Sequence, residues 1–239
     1  MDCRARPVAR PRLLDLFCGA GGAAVGYDRA GFDVVGVDIA PQPHYPFEFH
    51  RADALDWADA LTTGLLRFDA VHASPPCQAF SVTRATHHKR YPDLLTPTLK
   101  RFGLLAVPWV IENVPGAPLP SPVVMCGAAF GCVADDVDGA PLVLRRHRLF
   151  ASNVLVLVPP CACAEYRHRG VRVGGVYGGG PENRRIANRA LGTFRGGYTP
   201  AKAVAAELIG CPTMTKAELA QAIPPAYTEH IGRQLLEVV

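Results

Sequence analysis

No stretch of this 239-residue chain stays apolar for 18 or more residues, so a membrane-spanning helix is not expected. The opening MDCRARPVARPRLLDLF is basic, but it lacks the apolar core and small-residue cleavage site of a secretory signal. Both absences point to the cytoplasm, where the eight cysteines are expected to be reduced thiols rather than a disulfide framework. Cys161 and Cys163 stand near His168, but no clear second pair accompanies them, so no metal site is expected. There is no internal repeat. Lysine is missing from residues 151–200, which carry seven arginines (167, 169, 172, 184, 185, 189 and 195) against two glutamates. That segment is therefore +5 in a chain of net +4, leaving −1 elsewhere. Arginine without lysine favours planar, bidentate contact with phosphate or guanine, the alternative being a solvated basic surface.

What is present is a core and an alternating pattern. Hydrophobic residues make up 49% of the chain, enough for one domain with a small appendage. RLLDLF (12–17), DVVGVDI (33–39), a short piece in HRADALDW (50–57), RFDAVHAS (67–74) and PWVIENV (108–114) read as strands. A helix is expected from Gly22 to Ala30, with Gly31 as its stop, and another in the second half of residues 92–107. Strands spaced by helices imply an α/β fold: a doubly wound, mostly parallel sheet of Rossmann-like type. LRRHRLFAS (144–152) reads as a further strand, and residues 201–210, 214–223 and 229–239 as helices, with Thr215 and Glu218 at capping-box spacing. The expected organisation is a main domain over 1–152, a small irregular region over 153–200, and C-terminal helices over 201–239 that complete the first domain.

Ligands of such sheets bind beyond the carboxyl ends of the strands, and the notable motifs fall there. Gly19, Gly21 and Gly22 follow the first strand directly, but the third glycine of the dinucleotide pattern is missing. Asp38, ending the second strand, is placed to accept hydrogen bonds from ribose hydroxyls, and Asp53 to meet an adenine amino group; the alternative for each is a turn or cap. Together with the loop they favour an adenosine-type ligand. In SPPCQ, Pro75 and Pro76 stiffen the approach to Cys77 and set a thiol on a rigid support at the end of a strand.

DLFCGAGG, VGVDI, SPPCQAFS, IENVPG and RRHRLF occur in an order and spacing that resembles the cytosine-5 DNA methyltransferases across nearly the whole chain. The resemblance implies that Cys77 adds to carbon 6 of a flipped cytosine, making carbon 5 able to take a methyl group from S-adenosylmethionine. Glu112 would hold a proton near ring nitrogen 3, and Arg146 and Arg148, two apart on a strand, would hold the base and orient the carboxyl. The donor would lie on Phe17, Gly19, Ala20, Gly21, Gly22, Asp38, Ile39, Asp53 and Pro76. DNA would be met by Gln78, Ser81 and Arg84, in a loop that also holds Lys89 and Arg90, and by Arg184, Arg185 and Arg195. The implied partner is double-stranded DNA, with no membrane, a monomeric state and a restriction endonuclease in the same system. The implied host is a bacterial or phage-infected cell.

The chain departs from the pattern in places. Leu144 replaces a glutamine before the arginine pair, Cys18 takes a position that is commonly alanine, and Pro224 and Pro225 fall where a glycine-asparagine-serine stretch is usual. By the resemblance, 1–152 would be the catalytic and cofactor-binding domain and 153–200 a target-recognition region, which is short. The same chemistry on transfer RNA and a non-catalytic DNA-binding relative are the alternative readings.

Overall fold

The computed structural model describes residues 9–77, 80, 91–177 and 199–239. β1 (Arg12–Leu16) runs through the centre of the sheet, with Leu13, Leu14 and Leu16 fully buried. α1 (Gly22–Ala30) ends where Gly31 turns the chain, as its sequence indicates, and leads to β2 (Asp33–Asp38). β3 (Glu48–Arg51) is followed by a helix that the sequence pattern did not suggest, α2 (Ala54–Thr62). Its start signal is Asp53, whose side chain caps the helix. β4 (Ala70–Ala73), α3 (Leu95–Phe102) and β5 (Trp109–Asn113) complete the alternating half.

β6 (Val123–Met125) follows, then a 3-10 turn (Gly127–Phe130), β7 (Val133–Asp135), β8 (Pro141–Leu144) and β9 (Arg148–Ser152). After α4 (Cys163–His168) and β10 (Arg172–Gly174) come α5 (Lys202–Ile209), α6 (Lys216–Gln221) and α7 (Pro225–Leu235). The Thr215–Glu218 capping box forms on α6. Pro224 and Pro225 fit the start of α7, where a missing N–H costs nothing. None of the described helices is long and apolar enough to cross a membrane.

The main sheet has seven strands in the order β3-β2-β1-β4-β5-β9-β6. The first five are parallel, and β9 runs antiparallel to both β5 and β6. The fold is thus the expected doubly wound α/β sheet. Strand order reverses between β1 and β4, which opens a crevice at their carboxyl ends. Alternation divides the side chains: Leu13, Val34, Ala70 and Val110 meet α1 and α7, while Leu14, Val35, Val71 and Ile111 meet α2 and α3. Each large apolar side chain buried this way contributes about 1.5–3 kcal/mol.

A three-stranded sheet, β10-β8-β7, draws β7 and β8 from before residue 152 and β10 from after it. Leu144, in the usual glutamine position, is fully buried there, in contact range of a Cβ built on Gly127. α1 and α7 pack closely because Gly26 has no side chain: a Cβ there would lie 2.0 Å from Thr228 Oγ1 and 2.2 Å from the Pro225 carbonyl. Thr228 Oγ1 also donates to the Ala23 carbonyl at 2.8 Å.

Candidate active site

The crevice is built from strand ends. Beyond β1 the backbone enters the left-handed region at Phe17 (φ 56°), Gly19 and Gly21. For a phenylalanine this conformation costs about 1–3 kcal/mol and persists only where the surroundings hold it. Asp38 holds the loop: its Oδ2 accepts from Gly19 N–H at 3.0 Å, and its Oδ1 accepts from Ala40 N–H at 2.9 Å. The expected ribose acceptor is therefore also the clamp of the glycine turn, and each oxygen keeps a second lone pair. Gly21 is glycine for two reasons, its φ of 87° and the 2.9 Å that would separate a Cβ from Tyr45 and Pro46. Next to Asp38, Ile39 is 70% exposed, an apolar platform at the mouth of the crevice. Ala20 and Gly22 are buried in the turn. Asp53 does not stand free: its Oδ1 accepts from Leu55 N–H at 2.8 Å as the cap of α2.

Cys77 and Pro76 are half-buried just past β4, and Pro75 is buried. Asn113, at the end of β5, donates its Nδ2 to the Pro75 carbonyl at 3.0 Å, tying the two strand ends together. Burial, then the charge of Glu112, push the Cys77 thiol above its ordinary range, while Arg148 and Arg146 pull it back. Glu112 is buried on β5, and burial raises its carboxyl against the opposing pull of Arg148. β9 is antiparallel to β5, so Arg148, the first residue of β9, comes to the carboxyl end of β5. Its Nε lies 2.9 Å from Glu112 Oε1. The contact is an ion pair without an aligned hydrogen bond, so Oε1 still wants a donor.

The charges of both arginines reach Glu112 and Cys77, but the two differ in their contacts. Arg146 precedes β9, so the two-residue alternation expected of the pair does not apply to it. Its guanidinium is buried and donates to the Val176 carbonyl at 2.6 Å and the Ala220 carbonyl at 2.7 Å. Arg146 therefore ties β10 to the segment before α7, and of the pair it is Arg148 that meets Glu112.

Other residues of the site were not expected from sequence. His72, in the buried strand β4, lies 2.9 Å from Tyr27 Oη through Nδ1 and 2.8 Å from Ser74 Oγ through Nε2. Ser74 in turn bonds Glu112. An ionised carboxylate only accepts, so Ser74 donates to it, His72 Nε2–H donates to Ser74, and Tyr27 donates to Nδ1. Burial lowers the His72 pKa to about 3, which keeps the ring neutral as this chain requires. Asp15 is fully buried with no hydrogen-bond partner for either oxygen, and burial, then Asp38, raise its pKa. The signal for both residues was a titratable side chain inside an otherwise apolar strand.

Gln78, Ser81, Arg84, Lys89, Arg90, Arg184, Arg185 and Arg195 lie outside the described residues. Of the described arginines in the basic segment, Arg169 pairs with Glu165 and Arg172 with Asp136 and Asp138. Part of the local positive charge is therefore neutralised within the protein.

Residues 11–99 match the family model for C-5 cytosine-specific DNA methylases. The match covers the first part of the chain and stops before β5. The matching segment, from β1 to the middle of α3, carries the glycine loop, Asp38 and Cys77. It is similar to the Type II methyltransferase M1.HphI of Haemophilus parahaemolyticus, 39% identical over 82 residues. It is also similar to the Type II methyltransferase M.FnuDI of Fusobacterium nucleatum, 32% identical over 74 residues. Each alignment covers 29% of this chain and 22% of the relative, so the match spans about a fifth of those proteins. The fold is similar over most of the chain to two solved structures. One is an E. coli prophage protein assigned as a DNA modification methyltransferase (TM-score 0.58, 15% identity, 95% of this chain and 99% of that one). The other is the S. pombe Dnmt2 methyltransferase (TM-score 0.56, 13% identity, 96% and 99%).

Proposed function

We propose that this chain transfers a methyl group from S-adenosylmethionine to carbon 5 of cytosine in DNA, using Cys77 as a covalent nucleophile. The observation that carries the reading is the Cys77 thiol at the end of β4, within electrostatic reach of the buried Glu112–Arg148 pair. The ends of β1 and β2 fit the donor. The space where a Cβ of Gly19 would stand is open, Ile39 is exposed beside Asp38, and Asp15 is a buried acid whose unmet acceptors suit a cationic group. Phe17, Gly19, Asp38 and Ile39 would hold the nucleoside, and Ala20, Gly21, Gly22 and Pro76 shape the turn around it. When bound, S-adenosylmethionine supplies a methyl group activated by its sulfonium.

The protein's own steps concern one proton and one bond. The Cys77 thiolate forms a bond to carbon 6 as a proton reaches ring nitrogen 3 from Glu112, held in place by Arg148 and Ser74. The electron pair freed at carbon 5 would take up the methyl group as the methyl's bond to the donor sulfur breaks, its electrons staying on that sulfur. The carbon 5 proton then leaves to water, the sulfur–carbon 6 bond breaks as the nitrogen 3 proton returns to Glu112, and Cys77 is released as thiolate. Thiol and carboxylate together carry one proton, and the reactive pair, thiolate with carboxylic acid, is the other tautomer of that state.

We further propose residues 153–200 as the target-recognition region, double-stranded DNA as the partner, and a monomer acting in the cytoplasm beside a restriction endonuclease. The test is covalent trapping. DNA containing 5-fluorocytosine, whose fluorine cannot leave as a proton, should give a denaturant-stable adduct that needs S-adenosylmethionine and is lost in Cys77→Ser. Absence of an adduct with DNA would refute the reading, and trapping by RNA alone would move it to RNA.

A further inference from the structure

Four potential metal ligands that are scattered in sequence meet at one point: Cys126, His147, Cys161 and Cys163. Their ligand atoms all lie within 4.8 Å of one another. Cys126 Sγ is 3.4 Å from Cys163 Sγ, and His147 Nε2 is 3.2 Å from Cys161 Sγ. A tetrahedral zinc ion, with Zn–S of about 2.3 Å and Zn–N of about 2.0–2.1 Å, holds its ligand atoms about 3.5–3.8 Å apart. These two separations are within a few tenths of an ångström of that spacing, and the others, none above 4.8 Å, close to it by side-chain rotation. His168, the histidine nearest to Cys161 and Cys163 in sequence, is not part of the group.

The backbone around the sulfurs supports the same reading. Cys126 leads into the 3-10 turn, and its sulfur accepts from the Ala128 and Arg146 amides. Cys161 accepts from the amide of Cys163, the first residue of α4. An N–H two residues on, aimed at a cysteine sulfur, stabilises a thiolate and fixes the ligand, as the outer shell of a structural metal site does. Cys126 and Cys163 are buried, His147 is half-buried and Cys161 is exposed, so an ion could reach the cluster from solvent.

We propose that Cys126, His147, Cys161 and Cys163 form a structural zinc site of Cys3His type. Three thiolates and one imidazole in tetrahedral array suit zinc. Four protein ligands leave no open position, so the ion supplies no chemistry of its own. It joins three pieces of chain: the turn after β6, the start of β9 and the loop before α4. His147 stands directly between Arg146 and Arg148, and its carbonyl accepts from Arg148 Nη1 at 2.9 Å. An ion on His147 therefore fixes the residue that positions Arg148 against Glu112, at a point outside the segment that matches the methylase family.

The test uses the full chain, untagged and purified under reducing conditions in zinc-containing medium. Elemental analysis should find about one zinc per chain, released by a thiol-modifying mercurial. Replacement by cobalt should give thiolate-to-metal charge-transfer bands and the intense d–d bands of a tetrahedral site. Cys161→Ser and His147→Ala should each lose the metal, while Cys132→Ser keeps it. The proposal is overturned if the reduced wild-type protein takes up neither zinc nor cobalt, or if mass spectrometry finds Cys126 and Cys163 joined as a disulfide in metal-free protein. Retention of full zinc in both ligand variants would likewise overturn it. The cobalt spectrum of the wild type decides the question even if the variants fail to fold.

Discussion

Glu112→Gln separates the role of the Glu112 proton from that of its shape. Wild-type protein should show a plateau of methyl transfer bounded by two titrations. Below the raised pKa of Glu112 both groups carry protons and no thiolate forms. Above the raised pKa of Cys77 both have lost them, and nothing protonates the ring. Between the limits the pair holds one proton, and its distribution between sulfur and carboxylate does not depend on pH. Glutamine fills the same space but cannot take the proton, so the thiol must lose it to solvent. Burial, the larger cause of the raised thiol value, survives the substitution, so Cys77 remains above its ordinary 9.0. At pH 7 the thiolate is then under about 1% of the protein, and the rate should rise about tenfold per pH unit, with no falling limb from Glu112. The assay is single-turnover transfer of labelled methyl groups to DNA, from pH 5.5 to 9.5. A variant that keeps the wild-type plateau at a reduced height would refute the shared-proton account.

Three further outcomes follow from the geometry. Asp38→Ala removes the acceptor of the Gly19 and Ala40 amides, and losing one charge-assisted bond of about 1.5–3 kcal/mol should weaken S-adenosylmethionine binding by roughly tenfold or more; unchanged affinity in calorimetry would dissociate the loop clamp from binding. Gly26→Ala gains about 1 kcal/mol of helix propensity but drives a methyl group into Thr228 and the Pro225 carbonyl, so a net loss of about 1–3 kcal/mol is expected, read as a lower melting temperature; an unchanged or raised one would show that α7 yields. The unfolded chain protonates His72 below 6.5 while the folded one resists until about 3, so stability complete above 6.5 should drain by about 1.4 kcal/mol per unit as pH falls; urea titrations at pH 6.5 and 5.5 should show this loss in the wild type, and its persistence in His72→Gln would place the effect elsewhere.

The parts of the fold legible in sequence were those with local punctuation. Gly31 stops α1, the Thr215–Glu218 box starts α6, and apolar runs mark β1, β2, β4 and β5. The small sheet was not legible, because strands of three or four residues are too short to show a period and β10 finds its partner some thirty residues upstream. Cys77 and Glu112 stood out because each sits at the end of an apolar strand. The strand reading of Arg146 went too far, since alternation was extended past the first residue of β9. Of the proposed metal cluster only Cys161 and Cys163 drew notice, and their partners were hidden because Cys126 and Cys163 are brought together from 37 positions apart.

The close packing of α1 against α7 sets a clock on biosynthesis. Ala23 and its partner Thr228 are separated by 205 positions, so the helix that follows the glycine loop waits for its cover until that much more chain has been made. At about 5–20 residues per second the wait is roughly 10–40 s. Throughout it, Tyr27 and the apolar face of α1 lack Ile231 and Leu235, which bury them in the finished protein. The nascent chain is therefore a client for holding chaperones, and its yield should depend on translation speed downstream of α1 more than on the stability of the completed fold.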